Sequence, residues 1–291
     1  MNALSSTLSP PANAGVNAGT AARGIVLRTH GHRHGPITRL MSPSDLGQLL
    51  KPFVFLDLID ADAASMRGFG LHPHSGIATL TWLIEGSVRY EDTTGKEGVL
   101  PQGGVEWMQA GGGVWHGGGP HDGGRLRGFQ LWVALPPALE LGPAESIYLA
   151  PAAVPQVGPA RVLLGRYGSA ESELPAPAAM NYLAVRLKAG ERWRYQPPSG
   201  HRVGWVAINT GALRVPEALR AGELAVFEEA ETAIDFHAET DTDFVLGSAV
   251  KHPHELVLGT YSVHTDAAAL RAGEAGIQRI RARLHAAGRL G

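Results

Sequence analysis

Apolar residues along this chain gather in short runs, each bounded by Gly, Pro or Asp and rich in the β-branched and aromatic residues that suit a pleated surface. In the first half these runs are Phe53 to Leu56, Thr79 to Ile84, Val105 to Met108 and Phe129 to Val133. A Pro/Ala-rich stretch from Pro136 to Pro159 interrupts them. They resume at Tyr182 to Leu187 and continue at Val203 to Ile208, Leu224 to Phe227 and Asp243 to Leu246. Spacing of about a dozen residues or more between runs is that of antiparallel sandwiches and barrels. The pattern therefore predicts an all-β fold of two units in tandem, each a sandwich or a barrel: a first over residues 24–138, a linker over 139–160 and a second over 161–264.

The last stretch changes period. Thr265-Asp266 can cap a helix, and Ile277, Ile280 and Leu284 recur at helical spacing among arginines, which predicts an amphipathic helical segment over 265–291 that covers a sheet edge. Gly273 and Gly276 weaken its beginning and leave room for a break into two pieces. Residues 1–23 are rich in Ala, Ser, Pro, Gly and Asn without a basic start or an apolar run, and read as a disordered leader.

Composition narrows the function. The chain has 291 residues, with 38 Gly and 20 Pro to supply many tight turns. The balance of 25 Lys and Arg against 27 Asp and Glu sets up no global field for nucleic acid or an anionic membrane, so neither is expected as a partner. There is no cysteine, which excludes disulfides, thiolate metal sites and a cysteine nucleophile. No run of 18 apolar residues occurs, and the expected location is the cytoplasm.

The candidate chemistry lies in Gly70-Leu71-His72-Pro73-His74-Ser75-Gly76. Two histidines at i and i+2 on an extended chain share one face, so both imidazoles can reach one ion while Pro73 faces away. Downstream, past Gly95 to Gly104, Trp107-Met108 and Ala110 to Gly113, a hairpin return can lay His116 opposite that pair. Three imidazoles without thiolate suit iron, copper, nickel or zinc and leave coordination positions open. Surface or satisfied core histidines are the other reading of the same residues.

These residues resemble the pirin family of the cupin superfamily. The first signature is His72-Pro73-His74-Ser75-Gly76 with Glu85-Gly86; the second runs from Gly95 to Pro120, with Gly98, Trp107, Met108, Ala110, Gly111, Gly113, His116 and Pro120 in register. Phe129 to Val133, Lys51-Pro52-Phe53, Gly259 to Thr265 and Ala286 to Gly291 extend the likeness over nearly the whole chain. The resemblance implies two cupin (jelly-roll) β-barrels, a mononuclear metal in the first held by His72, His74 and His116, and iron(II) as the first expectation ahead of copper, nickel or zinc. It also implies either quercetin 2,3-dioxygenase activity on a small aromatic, flavonoid-like substrate or a regulatory role through a protein partner. A metal-free bicupin that binds a small apolar ligand is a third reading.

The sequence departs from that family where pirins commonly carry carboxylates: Gly118 stands two residues after His116, and Ala78 four after His74. Losing a negative oxygen donor weakens the hold on ferrous iron most and shifts preference toward ions content with imidazole. His121, beyond Gly117-Gly118-Gly119, is a candidate replacement on a run that does not preposition it. Glu97 and Glu106 are near in sequence, with no role assigned, and no general base is identified.

Other motifs have plain readings. His30, His32 and His34 alternate as on an exposed strand, and His252-Pro253-His254-Glu255 lacks a following glycine-rich return. Where the second barrel would carry ligands it has Trp193, Tyr195 and His201, which reads as metal-free and structural. Trp82, Trp107, Trp115 and Trp132 either fill the core or line a flavonoid pocket. Gly111-Gly112-Gly113 reads as a tight turn.

Overall fold

The computed structural model describes residues 23–290, so the expected leader lies outside the described residues except at Arg23. That residue is built into the fold. Its side chain is buried, with Nε donating to the Glu228 carbonyl at 2.8 Å. β1 (Ile25–Thr29) then pairs antiparallel with a strand of the second barrel, Leu224–Phe227. The sequence pattern assigned residues 24 onward to the first barrel; the chain instead begins by completing an edge of the second.

The first barrel comprises β2 (His32–His34), β3 (Ile37–Met41), a short helix α1 (Leu46–Leu50), β4 (Phe53–Asp62), β5 (Phe69–His74), β6 (Ile77–Glu85), β7 (Val88–Asp92), β8 (Glu97–Leu100), β9 (Val105–Gln109), β10 (Val114–Pro120), β11 (Arg125–Ala134) and β12 (Glu145–Leu149). One sheet runs β12-β9-β6-β11-β4-β3-β2 and faces a smaller one, β5-β10-β7-β8. β12 falls in the stretch read as linker. It belongs to the first barrel because Glu145 to Leu149 pair with Gln109 to Val105.

The second barrel comprises β13 (Gln156–Val157), β14 (Ala160–Leu164), β15 (Arg166–Tyr167), β16 (Ala170–Glu171), β17 (Met180–Leu187), β18 (Arg192–Tyr195), β19 (Val203–Thr210), β20 (Ala212–Val215), β21 (Glu217–Arg220), β22 (Leu224–Phe227), β23 (Ile234–Ala238) and β24 (Thr242–Ala249). Its large sheet is β1-β22-β19-β24-β17-β14-β13 and its small one β18-β23-β20-β21. Two tandem jelly-roll barrels result: the β-prone runs predicted two β units, and the family resemblance implied that they are cupin barrels.

Strand alternation decides what each barrel buries. On β6, Ala78, Leu80 and Trp82 enter one apolar core with Phe53, Trp107, Tyr182, Trp205 and Val245, so the two large sheets pack face to face. Phe53 meets Trp205 edge-on at 5.4 Å. Trp205 also lies across Gly247, where a Cβ would collide with the indole. The opposite β6 face, with Ile77, Thr81 and Leu83, looks into the first barrel.

Past the second barrel come β25 (Val257–Leu258), β26 (Val263–His264) and a single helix α2 (Ala267–Ala286), whose cap Asp266 accepts from the Ala268 and Ala269 amides. Gly273 and Gly276 do not split it. Both are buried close-approach points: a Cβ on Gly276 would strike the Gly112 carbonyl, and one on Gly273 the Ser75 hydroxyl and the His264 ring. The helix covers β10 around Trp115, whose Nε1 donates to the Ile277 carbonyl at 3.1 Å.

Candidate metal centre

β5 and β10 are neighbours in the small sheet, in register so that His72 pairs with His116 and His74 with Val114. Pro73 and Trp115 face the other way, toward α2. The three imidazoles meet inside, with ring centroids 4.5 to 5.2 Å apart and one ring nitrogen of each within 4.8 Å of the others.

The second nitrogen of each ring has an acceptor. His72 Nδ1 lies 2.9 Å from the Gly70 carbonyl oxygen, His74 Nδ1 3.1 Å from that of Tyr261, and His116 Nδ1 3.4 Å from Glu106 Oε1. With the proton on Nδ1, each Nε2 carries a free lone pair. The Nε2 atoms of His74 and His116 are buried without a hydrogen-bond partner. An acceptor behind each ring and an open nitrogen in front is the arrangement that metal-ligating histidines adopt. The donor set fits a borderline divalent ion.

Electrostatics keep His72 and His74 neutral. Burial pushes His72 down to about 4, aided by His116 beside it, and holds His74 well below the ordinary imidazole range, aided by His116 and His72. Burial pushes the Glu106 carboxyl up, yet the hydrogen bond and charge of His116, with Thr81 opposite on β6, outweigh it and hold the group below the ordinary value.

His74 is pinned from further shells. Trp132 packs on it at 4.7 Å and is itself stacked on Phe55 at 4.1 Å. Ser75 hydrogen-bonds Ser262 Oγ at 2.8 Å and His264 Nε2 at 3.0 Å, and His264 Nδ1 meets Glu140 Oε2 at 3.0 Å. Although this Ser-His-Glu order resembles a hydrolase relay, all three side chains are sealed under α2 and serve to dock the downstream segment. Tyr261 and Glu106 were missed as supporting residues in the sequence. Their partners lie 187 and 10 positions away by number, and what brings them together is the docking of a distant loop in one case and the facing of the two sheets across the barrel in the other.

The remaining candidates fall outside the triad. His121 sits beyond β10 with Nε2 3.9 Å from Asp122, apart from the three. Gly118 pairs with Tyr90, and a Cβ there would collide with the Arg89 carbonyl oxygen. Ala78 points into the core between barrels, away from the histidines. Trp82 and Trp107 fill that same core, and none of the four tryptophans lines the interior cavity. His32 and His34 are exposed on β2; His252 and His254 stand 5.3 Å apart with no third ligand grouped with them among the described residues. In the second barrel, Tyr195 bonds Ser248 and Asn181, His201 bonds Ser248, and Trp193 joins an aromatic cluster.

Two spaces adjoin the triad. The barrel interior, bordered by His72, Thr81, Glu106, His116 and Gln130, has a volume of about 80 Å³. Outside, a groove of about 620 Å³ runs between Pro73, Tyr261 and Trp115 and the α2 residues Glu274 and Ile277, and His72 borders this as well.

Among known proteins, residues 34–133 match the family described as Pirin. A Pseudomonas aeruginosa protein whose name assigns it provisionally to the quercetin 2,3-dioxygenases is 32% identical over 227 residues, 72% of this chain and 79% of its own. A pirin-like protein of Caulobacter vibrioides is 31% identical over 220 residues, 70% of this chain and 76% of its own. The crystal structure of a quercetin 2,3-dioxygenase from Acinetobacter baumannii superposes with a TM-score of 0.81 at 25% identity, over 89% of this chain and 98% of that one. No helix among the described residues is long and apolar enough to cross a membrane. With the match to its signature region, relatives aligned over most of their length and the double-barrel fold in hand, the chain belongs to the pirin family.

Proposed function

We propose that this protein binds one divalent metal ion through Nε2 of His72, His74 and His116 and oxidises a small aromatic, flavonoid-like molecule in the manner of a quercetin 2,3-dioxygenase. The observation that carries the reading is the set of three rings, each with an oxygen acceptor at Nδ1 and with one ring nitrogen of each within 4.8 Å of the others. A divalent ion held by three imidazoles keeps coordination positions open and supplies Lewis-acid polarisation of a substrate oxygen. Iron, nickel, copper and zinc all suit the donors. The relatives' names supply the reaction class.

The space around the triad favours approach from outside. An interior of about 80 Å³ is well below the roughly 300 Å³ at which small-molecule pockets begin, whereas the groove beside His72 is large enough. The same narrow interior favours a second reading, a non-enzymatic protein in which the ion shapes a partner-binding surface at that groove.

Elemental analysis of tag-free protein, with His72→Ala and His116→Ala beside it, tests the site. About one ion per chain in the wild type and loss in both variants supports it; a wild type that stays empty after reconstitution removes it. Oxygen uptake with quercetin separates the two readings: turnover that follows metal content supports the enzyme, and metal without turnover supports the binding role.

A further inference from the structure

Glu106 presents an unusual account of charge. Its side chain is 10% exposed, and His116 is the ion-pair partner it has among the described residues, with no arginine or lysine reaching it. A buried carboxylate facing a single imidazole is costly unless positive charge reaches it through that ring. The ring offers the path: Nδ1 faces Glu106, Nε2 is buried without a partner, and the ring lies 4.5 and 5.2 Å from those of His72 and His74.

Among the described residues no other carboxylate is placed to do this. Asp92 pairs with His116 across β7 and β10, but its oxygens take the Thr94 amide at 2.7 Å, the Thr94 hydroxyl at 2.5 Å and the Tyr148 hydroxyl at 3.0 Å. Glu91 is paired with Arg289. Position 118 is closed to any side chain by the Arg89 carbonyl.

We propose that Glu106 is a positioning residue that supplies the metal site's carboxylate charge from behind His116, holding that ring with Nε2 toward the ion and offsetting one of its two positive charges. The proposal rests on the three-histidine reading above. Outer carboxylates of this kind typically change metal affinity 10–100-fold, which is the scale expected here.

The test uses cobalt(II), followed by its d–d absorption and by competition with a chelating dye, on wild type, Glu106→Gln and His116→Ala. Glu106→Gln keeps the shape and removes the charge. The expected result is folded protein, shown by an unchanged far-ultraviolet spectrum, with cobalt bound about 10–100-fold more weakly and its absorption bands shifted. Affinity within about twofold of wild type and unchanged bands would mean that Glu106 only fills space, and would overturn the proposal while leaving the histidine site standing. A wild type that takes up no cobalt overturns both. Should Glu106→Gln not fold, Glu106→Asp withdraws the carboxylate by one methylene and is expected to show the same weakening; unchanged affinity there is equally fatal.

Discussion

His74 Nδ1 faces the backbone carbonyl of Tyr261 at 3.1 Å, so the orientation of a ring on β5 depends on a segment 187 residues further along the chain. That segment is held by Ser75, Ser262 and His264, and the cluster is roofed by Gly273 of α2.

The first prediction concerns that roof. Gly273→Ala would gain about 1 kcal/mol if helix propensity alone mattered. Its Cβ would instead collide with the Ser75 hydroxyl and the His264 ring, both fixed by hydrogen bonds. Overpacking of this kind costs about 1–3 kcal/mol, so the variant should be net destabilised and should hold less metal. A urea midpoint above that of the wild type would show that the contact yields freely.

The contrast between the sequence and the structure follows from the range of the interactions. His72, His74 and Pro73 could be sorted onto two faces because strand alternation is local, and the long apolar runs foretold the large sheets. Glu106 and Tyr261 could not be found that way, since what matters is how the sheet of β9 faces that of β10 across the barrel and how a distant loop docks. β1 was misassigned for a related reason. Its own alternation says that it is a strand but carries no information about which barrel edge it completes. The glycines of α2 weaken a helix by propensity, whereas here they are where it touches Gly112 and Ser75.

Acid should destabilise the metal-free protein well before its carboxylates titrate. In the unfolded chain the imidazoles take up protons near pH 6.5, but burial first, then neighbouring positive charge, pushes His72 and His252 down to about 4 and His74 well below the ordinary range. Between those limits the unfolded chain binds protons that the folded one refuses. The stability is therefore present above about pH 6.5 and lost as pH falls toward 4. At about 1.4 kcal/mol per pH unit, the interval at His72 alone corresponds to about 3 kcal/mol. Thermal midpoints measured in chelator should fall steadily from pH 6.5 to 5; a flat profile over that window contradicts the buried neutral rings.

Gly118→Ala tests the closeness of β10 to β7. The backbone at Gly118 needs no left-handed conformation, so the cost comes from space: the added Cβ meets the Arg89 carbonyl oxygen, part of the strand itself. A destabilisation of about 1–3 kcal/mol is expected from denaturant titration. Stability equal to wild type would show that β7 moves aside at little cost, and would reopen position 118 to a side chain.

Trp205→Ala tests whether the two barrels share one core. The indole is fully buried between the large sheets, edge-on to Phe53 and across Gly247, in a cluster that draws residues from both barrels. Removing it leaves a cavity between the sheets, and the loss of a buried aromatic of this size costs about 3–5 kcal/mol. Because the cavity weakens both sheets together, the denaturant midpoint should drop while unfolding stays a single transition by tryptophan fluorescence and far-ultraviolet dichroism alike. Two separated transitions, with only one lowered, would mean that each barrel keeps its own core and that the interface couples them weakly.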